Sequence, residues 1–342
     1  MSGVLRSALA NIPYIAILVI LVFVPVFVSN LYYIQVLIFV GIYIILTLSL
    51  NLLNGYVGLL SIGHAAFYGI GAYASAKLMM EAGFPFLLAM SGAGVIAGIF
   101  GYLIAKPTLR LSGIYMTLAT LGFNIILFLV LQNWMSFTNG PLGIMDVPSP
   151  VIFGYEISSR AGYYYLILTL ILLTLGSMYR LIHCRFGRAL IAIREDDLAA
   201  EATGIDTTRY KIQAFVLAAF YAGIAGSFYA HFIGFISPDS FYIYESFILL
   251  AMLAFGGQGN LIGPVVGATV LLIIPEAFRF LQEYRMFVYG SVLIIMMLVR
   301  RQGLLGGKEY SLRLPWFDEP EQVVYTKGDK FLPDEDSTIS SA

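Results

Sequence analysis

Hydrophobic positions in this chain fall in long unbroken runs, not in the i, i+3, i+4 spacing of an amphipathic helix laid on a soluble core. The stretch Ile15-Ala16-Ile17-Leu18-Val19-Ile20-Leu21-Val22-Phe23-Val24 is typical. It has no period-two alternation, so the in-and-out strands of a closed β-barrel are excluded. Crossing a bilayer as a helix takes about 20 apolar residues, because lipid offers the backbone no hydrogen-bond partner. Candidate runs cover roughly 13–29, 33–52, 55–79, 85–105, 112–131, 162–181, 210–234, 244–257, 262–280 and 285–301. The pattern predicts an all-α polytopic membrane protein with about ten transmembrane helices.

Composition removes the soluble alternative. Charged residues make up 11% of the 342, hydrophobic residues 59%, and mean hydropathy is +0.86. The 70 residues between Arg6 and Lys77 hold no Asp, Glu, Lys or Arg, and no water-facing surface is built from such a stretch. The first run lacks a small-x-small cleavage site after Pro25, so it reads as a retained helix and not a secretory signal. The basic residues orient the chain. With both termini cytoplasmic, 15 of the 19 Lys and Arg fall inside, and Lys77, Arg160, Arg279 and Arg285 fall outside. The expected organisation is a cytoplasmic N-terminus (1–12), a transmembrane domain (13–308) and a polar acidic cytoplasmic tail (309–342). Net charge of -1 gives no reason to expect a nucleic-acid partner. Cys184 is the only cysteine, and His64, His183 and His231 lack metal-ligand spacing, so no metal site is expected.

Polar residues concentrate in four places. In the first, Asn54-Gly55 is a turn signal, and Asn51, Asn54, Ser61 and His64 lie at or near membrane depth in a glycine-rich stretch. An imidazole there faces either a translocation path or an interhelical hydrogen bond in a small-residue packing surface. Asn124 is a further neutral polar residue inside a run. The second is the external segment 132–161, long enough for a gate, a docking site or a surface cap. The third is the internal connection 183–208, where Phe186, Leu190 and Ile193 share one face of a short amphipathic helix and Gly204 ends a second. The fourth is the proline- and acid-rich tail.

No catalytic constellation and no phosphate-cradling Gly-x-x-x-x-Gly-Lys-Ser/Thr loop occurs in the sequence. Glu276 and Arg279 are spaced for an ion pair, and Glu245 and Asp239 are expected at the outer edge. With no carboxylate expected at mid-membrane, coupling to a cytoplasmic partner is favoured over proton or sodium coupling. A stand-alone channel or secondary transporter remains the rival, binding its cargo through neutral residues such as Asn51, Asn54, Ser61 and Asn124.

Four stretches together resemble a known family. They are Leu50 to Tyr73, Gly113-Ile114-Tyr115-Met116-Thr117-Leu118-Ala119-Thr120-Leu121, Phe186 to Ile205, and Gly256-Gly257-Gln258-Gly259-Asn260-Leu261-Ile262-Gly263-Pro264. From about residue 35 to 306 the chain is similar to the permease subunits, M-type, of branched-chain amino acid ATP-binding cassette importers. The resemblance implies a prokaryotic plasma-membrane complex of several parts. These are a second homologous permease, two cytoplasmic cassette ATPases and an extracytoplasmic substrate-binding protein. It implies no cofactor on this chain, ATP-Mg being held by the ATPases. It implies that 183–208 is the coupling segment, with Arg188, Arg194, Glu195, Asp197, Glu201 and Gly204 as ATPase-facing residues; Asn51, Asn54, Ser61, His64 and Asn124, read from their polarity within apolar runs, are the expected lining of the substrate pathway. Leu198 stands where broader importers carry the Glu of a Glu-Ala-Ala-x-x-x-Gly loop. Urea and short amides are carried by sister permeases and stand beside branched-chain amino acids as cargo.

Overall fold

A computed structural model of the chain describes residues 21–25, 30–111, 113–152, 154–277, 290–291 and 303–305. The expected spans 13–29 and 285–301, both terminal segments and Arg279 lie wholly or largely outside them. Residues 22–310 form one compact unit; of the other unit, 1–21 with 311–342, only Leu21 is described.

The apolar runs are helices, as their composition demands. They are α1 (Leu31–Asn51), α2 (His64–Met80), α3 (Phe86–Thr108), α4 (Ile114–Asn133), α5 (Arg160–His183), α6 (Arg185–Glu195), α7 (Asp197–Ala202), α8 (Thr207–Ile233), α9 (Ile243–Gly256) and α10 (Ile262–Ala277). Among the described residues six segments are long and apolar enough to cross a membrane, and the shorter apolar stretch Ile262–Ile274 is a seventh candidate. Caps set several boundaries. The side chains of Asn30, Ser159, Asp196 and Asp206 accept hydrogen bonds from first-turn N–H groups of α1, α5, α7 and α8.

Helix α8 is the packing centre, lying against α2 and α3 through small residues. Ala72, Ala76, Ala93, Ala97, Ala218, Ala219, Ala222 and Ala225 are fully buried. A Cβ on Gly71 would run into the Gly223 backbone, and one on Gly226 into the Tyr68 carbonyl. The physical reason is that lipid tails are as apolar as the side chains. Helices therefore associate in lipid through close backbone packing and interhelical hydrogen bonds more than through exclusion of water.

Helices α9 and α10 form a hairpin turning at 257–261, with Gly256 against Gly263 and Gly267. The connection within 255–264 is a short turn between these two helices. At 14 residues α9 spans only about 21 Å. Its start is set deep in the bundle. The Ser246 hydroxyl accepts from Ala65 N at 3.0 Å, and Phe241 packs on Tyr68 and Tyr73 midway along α2. Glu245, expected at the outer edge, instead accepts the Tyr43 hydroxyl at 2.6 Å from the middle of α1. The short helix Pro238–Phe241 dips inward and carries the start of α9 with it.

At one end of the bundle, segment 134–159 folds onto the end of α8. Ile144 and Ile236 exchange backbone bonds, Val147 N donates to Gly234 O, and a two-residue hairpin (Val151–Ile152 with Tyr155–Glu156) follows. At the other end lie α6, α7 and the 257–261 turn.

Candidate functional site

The first polar region is built on a helix break. Helix α1 does not stop at Asn54-Gly55; it widens into a π-helical stretch, Leu52–Val57, and the chain turns at Gly58, whose φ is +79°. The expected Asn54-Gly55 turn is therefore corrected. Gly55 is small for a different reason: a Cβ there would meet the Asn51 side chain and the backbone of Gly259. Residues 58–63 are irregular, and α2 begins at His64. π-Helical turns often mark functional positions.

The backbone of the break is held by three side-chain hydrogen bonds, one from Asn54 and two from α4. Ser61 N donates to Asn54 Oδ1 at 3.2 Å, Ile62 N to Thr120 Oγ1 at 3.1 Å, and Thr117 Oγ1 to Leu60 O at 3.0 Å. Thr117, Thr120 and Asn124 lie at i, i+3 and i+7, a polar stripe on the buried side of α4. Thr117 and Thr120 were not singled out in the sequence, although that spacing was there to find them.

Of the five expected pathway residues, Asn54, Ser61 and His64 are gathered at the break. Asn124 lies one turn further along α4, its Nδ2 donating to Phe241 O at 3.4 Å. Asn51 faces elsewhere: its Nδ2 donates to Asn260 O at 2.7 Å and its Oδ1 accepts from Gly259 N at 3.0 Å, so its amide ties α1 to the 257–261 turn. His64 is fully buried, with Nε2 2.6 Å from Ser49 Oγ. Four polar atoms of this group are buried without a hydrogen-bond partner: Asn54 Nδ2, Ser61 Oγ, His64 Nδ1 and Asn124 Oδ1. An unpaired buried polar atom costs about 1–3 kcal/mol, so four around one break is a concentrated expense.

The second histidine cluster was not anticipated. His231 Nε2 lies 2.8 Å from Ser75 Oγ, which lies 2.7 Å from Ser227 Oγ. Its Nδ1 lies 2.8 Å from Pro148 O, and its ring packs edge-on against Phe86. Ser227 and His231 are one turn apart on α8, a legible pairing; Ser75 and Pro148 come from distant sequence. Among the described residues no group of three His, Cys, Asp or Glu lies together.

The internal connection folds as expected into two short helices. In α6 Leu190 and Ile193 are buried, and the Phe186 ring packs at a tilt against Tyr210, 5.5 Å between centroids. Gly204, at φ +88°, follows α7. Arg188, Glu195, Asp197, Glu201 and Gly204 are exposed; Asp197 is paired with Lys211. Arg194 is exposed as well, yet its guanidinium reaches the break. Its Nη1 donates to Gly55 O at 2.7 Å, its Nη2 to Glu195 Oε1 at 3.0 Å, and its methylenes run under Gly58. A cation thus caps the carbonyl end of the π-helical stretch, where the helix dipole is negative.

A many-span helical bundle, with a buried polar break in one helix and an amphipathic connection seated against that break, defines the membrane subunit of a transporter. The family of permease components of branched-chain amino acid transport systems matches residues 32–297, and the chain belongs to that family. It is similar to the high-affinity branched-chain amino acid permease protein LivM of Salmonella typhimurium and of Escherichia coli. Each is 37% identical over 296 residues, covering 80% of this chain and 70% of the relative. The LivH permease of Escherichia coli is 29% identical over 299 residues, 78% of this chain and 92% of the relative. No solved structure matches. The chain is accordingly a multi-pass membrane permease component and a non-catalytic subunit.

Proposed function

We propose that this chain forms half of the translocation pathway of an ATP-driven importer of branched-chain amino acids in a prokaryotic plasma membrane. The other half is a homologous permease, consistent with similarity to both LivM and LivH proteins. Two cassette ATPases seat on 183–208 from the cytoplasm, and an extracytoplasmic binding protein delivers cargo. The orientation, with both termini cytoplasmic, rests on the distribution of Lys and Arg.

The observation that carries this reading is the bond from Arg194 to the Gly55 carbonyl. It joins the ATPase-facing helix to the π-helical stretch at the residue next to Asn54, just before the break. A push on α6 reaches the break through that guanidinium. The unpartnered atoms of Asn54, Ser61, His64 and Asn124 then exchange their burial cost for hydrogen bonds to passing cargo. Arg194 transmits, while the exposed Arg188, Glu195, Asp197, Glu201 and Gly204 meet the ATPase.

Charge reversal at both positions, Arg194→Glu with Glu195→Arg, tests this in the assembled complex. ATP-dependent leucine uptake and binding-protein-stimulated hydrolysis are expected to fall at least tenfold; ordinary values for both would sink the coupling assignment. Competition of radiolabelled leucine with urea and a short amide in the same assay identifies the cargo, and leucine is expected to be the one taken up.

A further inference from the structure

Beside α6 lies a cavity of about 660 Å³, walled by the break, by the turn after α3, and by the starts of α7 and α8. Three cations face it from three separate elements: Arg110, Arg194 and Lys211. The acid in its lining is Asp197, already paired with Lys211. Arg110 makes no ion pair among the described residues. The remaining wall is apolar and open. Leu60 is 46% exposed, Leu111 44% and Ile114 70%, and this apolar surface continues along the outward faces of α3 and α4.

We propose that this cavity holds the headgroup of an anionic phospholipid of the cytoplasmic leaflet. The turn between two spanning helices lies at the bilayer surface, where anionic lipid is concentrated. The phosphate meets Arg110 and Lys211, and the acyl chains descend over Leu111 and Ile114. An acidic segment of an ATPase fits less well, because it would leave that apolar wall in water. A free amino acid would leave the same wall uncovered. The bound lipid bridges the α3–α4 turn to the coupling helices, so movement of α6 depends on it. The inference rests on the proposed orientation and on the coupling role of α6.

The test uses the full complex in nanodiscs of phosphatidylcholine with increasing phosphatidylglycerol, reading binding-protein-stimulated ATP hydrolysis. A saturable rise is expected. Arg110→Gln should raise the half-saturating phosphatidylglycerol fraction about fivefold, the worth of one basic residue at a membrane surface. Arg110→Lys should restore most of the response. Lys106→Gln, exposed on the last turn of α3 and outside the cavity, should leave it unchanged. Full activity in pure phosphatidylcholine overturns the proposal, as does an equal shift for Arg110→Gln and Lys106→Gln. Release of the ATPases by Arg110→Gln without a change in lipid response overturns it in favour of an ATPase segment. Replacement of phosphatidylglycerol by millimolar inorganic phosphate reduces the site to a simple anion site and also overturns it. Because Arg194 also lines the cavity, the two readings are separated by pairing the results: a flat phosphatidylglycerol response with hydrolysis still abolished by the Arg194/Glu195 reversal sinks the lipid inference alone, and ordinary hydrolysis in that reversal sinks the coupling reading.

Discussion

His64 and His231 are both buried histidines on apolar helices, yet their surroundings differ in kind. His231 sits in the tight α2–α3–α8 packing, with both ring nitrogens in hydrogen-bond contact, a serine pair beside it and Phe86 edge-on. It locks segment 143–148 onto the end of α8. His64 sits at the start of a broken helix, with one nitrogen on Ser49 and the other without a partner. The same side chain is used once as a completed joint and once as an incomplete one. The lesson is that burial of a polar group does not by itself say whether its hydrogen-bonding capacity is met.

Three substitutions test that division. The largest effect is expected in the closely packed region without touching either histidine. Gly71→Val places a branched side chain against the Gly223 backbone and should cost about 3 kcal/mol or more, seen as loss of assembled complex after detergent extraction. Normal yield and melting temperature would show that α2 and α8 do not meet at backbone distance. Next, His231→Leu removes the contacts to Ser75 and Pro148. It should cost about 2 kcal/mol, with faster hydrogen exchange at 143–148. Unchanged exchange there would mean the segment is held by Ile144 and Val147 alone. The smallest effect on stability belongs to His64→Leu, which removes one hydrogen bond worth about 1 kcal/mol in a membrane bundle. Uptake, by contrast, should fall severalfold with assembly intact. Normal uptake in that variant would return His64 to packing and erase the contrast with His231.

Much of this was readable before any coordinates. The apolar runs at 33–52, 85–105, 112–131, 162–181 and 210–234 became helices within a few residues of their ends, because chain composition alone forces a backbone in lipid to bond to itself. The amphipathic helix at 185–195 and its neighbour ending before Gly204 followed from periodicity and one glycine. Asn54-Gly55 misled because a local rule was applied to a residue chosen for a distant contact. Gly55 is small to admit Asn51 and Gly259, and no turn propensity contains that information. Arg194 lies in the expected connection, and its bond to the Gly55 carbonyl, 139 residues away, is a long-range contact that no local pattern contains.

The sequence by itself determined that this protein lives in lipid and is helical, and it shows no nucleotide-binding loop. These are properties of composition and short-range pattern, and they act through the solvent. Only the tertiary structure decided which polar groups meet. Ser49 is 15 residues from His64, Ser75 is 156 from His231, and Gly55 is 139 from Arg194. Hydrogen bonds reach about 3 Å, so each pairing waits on the helix packing that brings its two partners together.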